Sequence, residues 1–591
     1  MLAFSSTRTQ YISILLLLLI GILLNQYFLP HHPTLYLLLT VICLTLSLII
    51  PSNKKLFIFL SIITIGIWRA DNTFPINHQE FQCSGIWQIY DFPKKNFPTG
   101  EQISLKLIEG NCPSLNDNFV NATSYQSGHA LGQSYQATLL IKAHKTKYYA
   151  NLLPNATKTF IPLPWTLHYR ALIQSKIEQI YPNSAKWVSA LLIGNRSQLE
   201  HQDKVILKRT GTNHLLAISG LHLGIIIAIF YIITKYIWAY FPYLSKRIEP
   251  RTIALFISLL AGIIFVFISG SYPPVIRAWI MFACLLITWL IPYHLGDSLS
   301  SLMIAAILIL LLEPIAVYEL SAWLSFLATA IIILIYQRIK HKMPLIQWVI
   351  LQLGITPFLT ILSWAIFGGI SIIAPLINLI IIPWVGLLLL ALILGLYIPI
   401  SATFAENLLT IILNLLSTSA KNSHSYFEPN YQPSLLAAAL LYLYGYYLLK
   451  RQYRRSYLSL GLASISAITP IFNHQPITLS SSKITIYYPS LGEAIIINTG
   501  YTYHSKNQAR YQILPALRHR AAKPIAIILT ENNLRATTGL KTLLHHYPNT
   551  PIYSTIPIPN LPFPYQYCPN TSPIPYLSFK RDKKCILELH P

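Results

Sequence analysis

Residues Leu191–Ile227, LLIGNRSQLEHQDKVILKRTGTNHLLAISGLHLGIII, run from a charged, amphipathic segment through Thr-Gly-Thr-Asn-His directly into an uncharged apolar stretch. Such stretches recur along most of the 591 residues. Hydrophobic residues make up 53% of the chain and charged residues 10%, with a mean hydropathy of +0.50. Soluble globular chains carry about 25% charged residues. The composition therefore excludes an ordinary cytosolic protein and a disordered one, and the long apolar runs place the chain in a membrane. Basic residues outnumber acidic ones 43 to 19, a formal charge of +24. That excess favours an anionic partner (nucleic acid, lipid headgroups or an acidic solute) without choosing among them. Six cysteines are too few for a disulfide scaffold but leave room for an exported pair.

Working outward, apolar windows of about 14 to 25 residues predict about thirteen spans. Three come early, at 11–29, 35–50 and 56–70. Ten more follow at 214–234, 252–269, 277–292, 299–312, 321–336, 345–366, 371–397, 406–418, 433–449 and 456–472. The first run, Tyr11–Leu24, has no small-residue cleavage site after it and reads as a retained helix rather than a signal peptide. With the amino terminus and Arg8 inside, the basic pairs and clusters Lys54-Lys55, Lys246-Arg247-Arg251, Arg338-Lys340-Lys342 and Lys450-Arg451-Arg454-Arg455 all fall inside. Regions 71–210 and 473–591 then lie outside.

The expected fold is a polytopic α-helical membrane protein of about thirteen spans, with an exported small β-barrel and a truncated α/β carboxy-terminal domain. Residues 1–70 hold three amino-terminal transmembrane helices. In 71–165, Ile103, Leu105 and Leu107 share one strand face, as do Tyr135, Ala137, Leu139 and Ile141. An OB-like barrel fits, a fold that often binds single strands. Its seven lysines face six acids, so no strong electrostatic groove is evident. Cys83 and Cys112 lie in this domain as either a disulfide or two small buried residues. Residues 166–213 read as amphipathic linker helices and 214–472 as the transmembrane channel block. In 473–591, strands near Lys483–Tyr488, Ala494–Asn498 and Pro524–Thr530 alternate with helices near Gln508–Ala522 and Arg535–Tyr547. That region carries 12 basic and 4 acidic residues, a surplus that suits either a polyanion or simple solubility.

Four polar features interrupt the membrane block. Ser219 and His222 stand three residues apart on one helical face, beside the small pair Gly220 and Gly224. They either face a polar cavity or make an interhelical hydrogen bond. Arg277 follows Tyr272-Pro273-Pro274 at the outer end of a span, placed for phosphate contact or for snorkelling to headgroups. Ser321, Ser325 and Thr329 form a stripe at i, i+4, i+8 after Glu319, suited to lining a pore or to packing. Pro375, Asn378 and Pro383 are expected to break a long run, as in the discontinuous helices of transporters.

GTNHLLAISGLHLGII, with LLIGNRS upstream, resembles the signature of the ComEC family, the inner-membrane DNA-internalisation channel of natural competence. PPVIRAWIMFACLLI, EPIAVYELSAWLSFLAT and ISIIAPLINLIIIP resemble its later helices in the same order. The resemblance implies an OB-like domain, a competence block and a metallo-β-lactamase-like domain. It further implies passage of single-stranded DNA, with His214, Ser219, His222, Arg277, Ser321, Ser325 and Asn378 as candidates along the path. A DNA receptor outside the membrane, a cytoplasmic motor or single-strand-binding protein, membrane lipid and an oligomeric state complete the implied partnerships. The chain departs from the family in its last domain. The family's Leu-Ile-Asp-Thr-Gly element becomes Ile496-Ile497-Asn498-Thr499-Gly500, and its metal loop has Glu531, Asn533, Arg535 and Ala536 at the ligand positions. Zinc needs imidazole, thiolate or carboxylate donors, and the chain ends about where further ligands are expected. No metal, no cofactor, no catalytic residue and no nuclease activity are therefore expected. No Gly-x-x-x-x-Gly-Lys-Ser/Thr loop occurs, so a motor would be a separate protein. A permease for a smaller anionic solute, an inactive remnant of the family and a membrane-anchored hydrolase are the alternatives.

Overall fold

The computed structural model describes residues 7–28, 40, 60–67, 80–97, 100–112, 119–124, 129–144, 147–152, 156–159, 164–216, 218–290, 297–422, 425–429, 431–449, 452–468, 475–479, 484–500, 502–503, 506–559, 561–569, 576–581 and 585–589. They form two units, Met1–Ile355 with Pro375–Thr418, and Thr356–Ala374 with Ser419–Pro591.

In the first unit, the alternation of the polar region becomes a closed barrel. Its strands are β1 (Glu80–Ile89), β2 (Lys94–Phe97), β3 (Gly100–Asn111), β4 (Phe119–Ser124), β5 (Ser134–His144), β6 (Lys147–Leu152) and β7 (Thr157–Thr159). Pairing runs β1–β3–β4–β6–β5 and returns from β5 to β1, with β4 and β6 parallel and the other pairs antiparallel. Closure leaves no open sheet edge among these five strands. Trp87, Ile89, Ile103, Leu105, Leu139 and Ile141 fill the interior. Cys83 and Cys112 are bonded across β1 and the end of β3, with Cα atoms 5.5 Å apart.

A buried polar knot sits within the barrel. The His129 backbone N–H donates to Glu101 Oε2 at 3.1 Å, and its ring nitrogens face Tyr135 Oη and Ser124 Oγ, each at 2.7 Å. Tyr135 donates onward to Gln133 Oε1 at 2.9 Å, so its oxygen accepts from His129 Nδ1–H. Burial lowers the His129 pKa, opposed by Glu101.

Each of the ten apolar windows between 214 and 472 coincides with a helix: α6 (Gly220–Ala239), α7 (Pro250–Ile268), α8 (Pro273–Leu290), α9 (Ser298–Leu312), α10 (Leu320–Ile339), α11 (Pro344–Phe367), α12 (Ala374–Gly395), α13 (Pro399–Lys421), α14 (Leu435–Leu449) and α15 (Tyr453–Ile468). They follow α1 (Thr7–Phe28) and four linker elements, α2 (Trp165–Ile180), α3 (Ala185–Leu192), α4 (His201–Thr210) and α5 (Asn213–Leu216). Six of the described helices, α6, α7 and α10 to α13, are long and apolar enough to cross a membrane. The shorter runs Tyr11–Ile22, Pro273–Thr288 and Ser298–Leu312 are also apolar. Most of window 35–50, the Lys54-Lys55 loop and Lys450-Arg451 lie outside the described residues.

Prolines open α7, α8, α11 and α13, where the missing N–H costs no helical bond. One expectation is corrected here. The run containing Pro375, Asn378 and Pro383 is a single helix, α12, not a discontinuous one. Pro375 falls in its first turn, and Pro383 sits inside without ending it. Gly220 and Gly224 do bring helices together: a Cβ on them would lie 3.1 Å from the Ala278 Cβ and 3.4 Å from the Phe282 ring on α8.

In the second unit, β8 (Ile477–Leu479), β9 (Ile484–Tyr487) and β10 (Glu493–Ile497) pair antiparallel. Strands β11 (Lys523–Leu529), β12 (Ile552–Ser554) and β13 (Gln566–Tyr567) continue the sheet in parallel from β10. Ile486, Ile496, Ile527, Leu514 and Leu517 make its core. Residues 356–374 and 419–472 group with this sheet rather than with the earlier helices. Arg518 explains part of that grouping, donating to Gly368 O at 3.1 Å and to Glu428 Oε2 at 2.8 Å. Cys568 and Cys585 are bonded, a pair the sequence reading did not propose.

A neutral His129 predicts a pH effect with a definite sign. Its folded pKa lies below the unfolded value of about 6.5, so its stabilisation is complete above that pH and is lost as pH falls through it. Hydrogen exchange in β3 to β5 of the detergent-solubilised chain, corrected for intrinsic rates, should rise between about pH 7.5 and 5.5. His129→Gln should flatten that rise.

Candidate functional site

The barrel's Asp91 sits where the linker helices and the membrane helices meet. Arg170 on α2 is 1% exposed and donates to Asp91 Oδ1 and to Ile193 O, both at 3.4 Å, with its guanidinium 4.8 Å from the Phe92 ring centre. Tyr272, in the turn between α7 and α8, donates its hydroxyl to Asp91 at 2.8 Å. Burial and the Asp91 carboxylate together push the Tyr272 phenol up, which keeps it a donor. Two glycines make the approach feasible. Gly270 has φ +93°, and a Cβ there would lie 2.6 Å from Arg170 Nη2. Gly194 has φ +73°, and its Cβ would lie 2.6 Å from the Tyr272 ring.

Asn195 and Arg196 stand in this turn, between α3 and α4, and not within a helix as the sequence reading had them. Asn195 Oδ1 accepts from the Ser197 N–H at 3.1 Å, and its amide donates to Gln174 at 3.2 Å. Asp203 accepts from the Glu200 N–H at 3.0 Å and from Lys186 at 2.8 Å, fixing the start of α4. Ser219 and His222 also differ from their expected placement inside a span. Ser219 is the N-cap of α6, with φ −127° and ψ 171°, and its Oγ accepts from the Leu221 N–H at 3.3 Å. The Ser219 N–H in turn donates to His222 Nδ1 at 3.3 Å. The pair is a local capping box and makes no interhelical bond among the described residues. His222 is fully buried. His214, on α5, faces Gly211 O with its Nδ1 at 3.1 Å.

Arg277 and Ser321 form a second group. Arg277 is 1% exposed and donates to Glu319 Oε2 at 3.0 Å and to Ser321 Oγ at 2.8 Å. Its charge is thus neutralised by the residue that begins α10. Ser325 donates to Ser321 O and Thr329 to Ser325 O, so these hydroxyls spend their protons on their own helix. Asn378 is buried on α12 with its Oδ1 unpartnered, and no described bond joins it to either group. The reading from residue patterns missed Asp91, Arg170 and the Arg277–Glu319 pairing. The only available signals were a lone acid in a strand-end turn, Tyr90-Asp91-Phe92-Pro93, and Glu319 leading its motif.

In the carboxy-terminal sheet, the positions of the family's metal loop are joined to one another by hydrogen bonds. Asn498, at φ 60°, accepts from the Thr530 N–H at 3.0 Å and donates to Thr530 Oγ1 at 2.9 Å. Asn533 donates to Glu531 at 2.6 Å and accepts from the Ala536 N–H at 2.8 Å. Ala536 O accepts from the Thr499 hydroxyl at 2.7 Å. The Arg535 side chain is outside the described ones. Among the described residues no three His, Cys, Asp or Glu side chains group as a metal site.

The membrane block combines a capped helix start at Ser219 with a buried Arg277–Glu319 pair. Residues 191–454 match the family described as Competence protein, so this block is similar to the ComEC competence family. Similar proteins include "Recombination protein 2" of Haemophilus influenzae, 23% identical over 414 residues, 61% of this chain and 52% of that one. "Uncharacterized protein YcaI" of Escherichia coli is 27% identical over 336 residues, 53% of this chain and 40% of that one. "ComE operon protein 3" of Bacillus subtilis is 31% identical over 209 residues, 34% of this chain and 25% of that one. The matched part spans about half the length of the first relative and less of the others. No solved structure matches the chain significantly.

Removing the Asp91 charge leaves Arg170 buried without a counter-ion. Asp91→Asn should lower the thermal unfolding midpoint of the solubilised chain, corresponding to a loss of about 3 kcal/mol. Tyr272→Phe, which removes one hydrogen bond, should cost about 1 kcal/mol.

Proposed function

We propose that this chain conducts single-stranded DNA across the bacterial inner membrane during natural competence. The observation that carries the reading is the competence block itself, residues 191–454, joined to a barrel whose strand order suits an OB fold. The names of three relatives, a recombination protein, a competence operon protein and "Competence protein ComA" of Neisseria gonorrhoeae, support it. The full count of about thirteen spans puts the barrel and the carboxy-terminal sheet outside, with the amino terminus in the cytoplasm. The Cys83–Cys112 and Cys568–Cys585 bonds support that sidedness, because disulfides persist in oxidising compartments.

The carboxy-terminal domain acts in this reading as a non-enzymatic element. Glu531, Asn533, Arg535 and Ala536 stand where the family resemblance puts metal ligands, and in this reading strand degradation and ATP-driven pulling fall to other proteins. A receptor outside and a motor or single-strand-binding protein inside are the partners this division of labour needs. The alternative, a permease for a smaller anion, draws on the same basic helix ends.

Uptake of labelled DNA separates the two. In a strain lacking the gene, DNA should still reach the periplasm but not the cytoplasm, and the intact gene should restore entry. Cytoplasmic entry that is unchanged by the deletion overturns the proposal. Metal analysis of the purified full chain should find less than stoichiometric zinc, and bound zinc would overturn the non-enzymatic reading.

A further inference from the structure

The outer face of the barrel carries aromatic rings that its core does not use. Leu105 on β3 and Val120 on β4 point inward, so their neighbours Lys106 and Phe119 point out, paired in register. Tyr90 follows the inward Ile89 at the end of β1 and joins them. Its ring centre lies 5.0 Å from that of Phe119, edge to face. Lys106 Nζ lies 5.2 Å from the Tyr90 centre and 5.4 Å from the Phe119 centre. On β6, the next strand after β4, Tyr149 points out beside the inward Tyr148 and stands level with Asn121 of β4 and Lys142 of β5. Phe119 is 37% and Tyr149 41% exposed.

A single exposed ring is ordinary, but rings on neighbouring strands with a cation beside them form a patch. Phe119 and Tyr149 are offset by one strand and two residues, about 8 Å between Cα positions. That offset lets successive bases of an extended strand lie on separate rings. Lys106 makes no hydrogen bond or ion pair with any described residue, so its charge is open to a phosphate. The even count of lysines and acids in this domain conceals that, because Glu101 is engaged by His129 inside the barrel and Asp91 by Arg170 and Tyr272. The chemistry selects the occupant. A lipid headgroup supplies the anion but no flat ring, and a duplex keeps its bases stacked on one another. A single strand supplies both, and stacking accepts any base.

We infer that the outer face of β3, β4 and β6 binds single-stranded nucleic acid, with bases stacked on Phe119 and Tyr149 and a phosphate on Lys106. Tyr90 braces the Phe119 ring from the side. The inference rests on the conduit reading for the source of the strand, and it gives a near-neutral barrel a binding mode that depends on stacking more than on charge. Tyr90 also adjoins Asp91, so the stacking face begins where the barrel is tied to Arg170 and Tyr272.

The test uses the full chain in maltoside micelles, which carry no phosphate, with fluorescent oligothymidylate read by anisotropy. An abasic strand of the same length keeps the phosphates and lacks the bases. Phe119→Ala and Tyr149→Ala should each weaken oligothymidylate binding about fivefold or more and leave the abasic strand as it was. Phe119→Trp keeps a ring and should retain the affinity, which guards against a loss that comes from misfolding. Lys106→Gln should weaken both strands and lower the salt dependence, the slope of log Kd on log salt, by about 0.7, the share of one phosphate on a single strand. Wild-type oligothymidylate affinity in both folded alanine variants overturns the inference, as does a wild-type chain that binds no oligothymidylate. An equal loss for the abasic strand also overturns it, because the face would then hold phosphates without stacking. Unchanged affinity with an altered oligomeric state would assign the rings to a second copy of the chain and overturn it too. Import that survives gene deletion overturns the conduit reading but leaves these affinities standing, so the two failures are distinguishable.

Discussion

One carboxylate organises the first unit. An arginine cannot be buried beside a membrane without a counter-charge, and Arg170 takes its counter-charge from the barrel rather than from its own helix. Because Tyr272 donates to the same carboxylate across 181 residues of sequence, the barrel, the linker helix α2 and the α7–α8 turn converge on Asp91. The left-handed Gly270 and Gly194 follow from that convergence. Each sits where any side chain would occupy the space of Arg170 or Tyr272. The turn bearing Arg196 is thereby fixed relative to the capped start of α6.

The polar positions of the membrane block divide by what they contact. Arg277 donates to Glu319 and Ser321 through its two terminal nitrogens, leaving its buried Nε without a partner among the described residues, and Ser325 and Thr329 bond their own helix backbone. Such groups stabilise a bundle and offer little to a solute. His222 differs from them, since its buried Nε2 has no partner among the described residues. In the carboxy-terminal sheet, Asn498 and Asn533 accept from the Thr530 and Ala536 backbone N–H groups. Those bonds tie the ends of β10 and β11 and the loop after β11 together.

Much of this architecture was legible in the sequence, for a physical reason. Apolar run length decides whether a segment becomes a membrane helix, and alternation decides the barrel strands, so both signals are local. Ile103, Leu105, Leu139 and Ile141 face inward as their period-two pattern requires. What was not legible depends on encounters between distant residues. Nothing near Arg277 announces Glu319 as its partner, and Asp91 looks like any turn acid. Ser219 was placed inside a span because its flanks are apolar, yet its hydroxyl ends the backbone's need for a cap and so begins the helix. Pro383 was expected to break α12, but the helix continues on both sides of it.

The Arg277–Glu319 pair has a consequence for how the chain enters its membrane. Arg277 emerges from the ribosome 42 residues before the carboxylate that neutralises it. A lone arginine in the middle of a span costs about 2.5–3.5 kcal/mol at the insertion step, a cost that depth near the helix end reduces but does not remove. Helix α8 is therefore poorly suited to leave the translocon alone. Its charge finds its partner only once α9 and the start of α10 have been made. The order of synthesis, not only the final packing, is thus written into the position of a single glutamate.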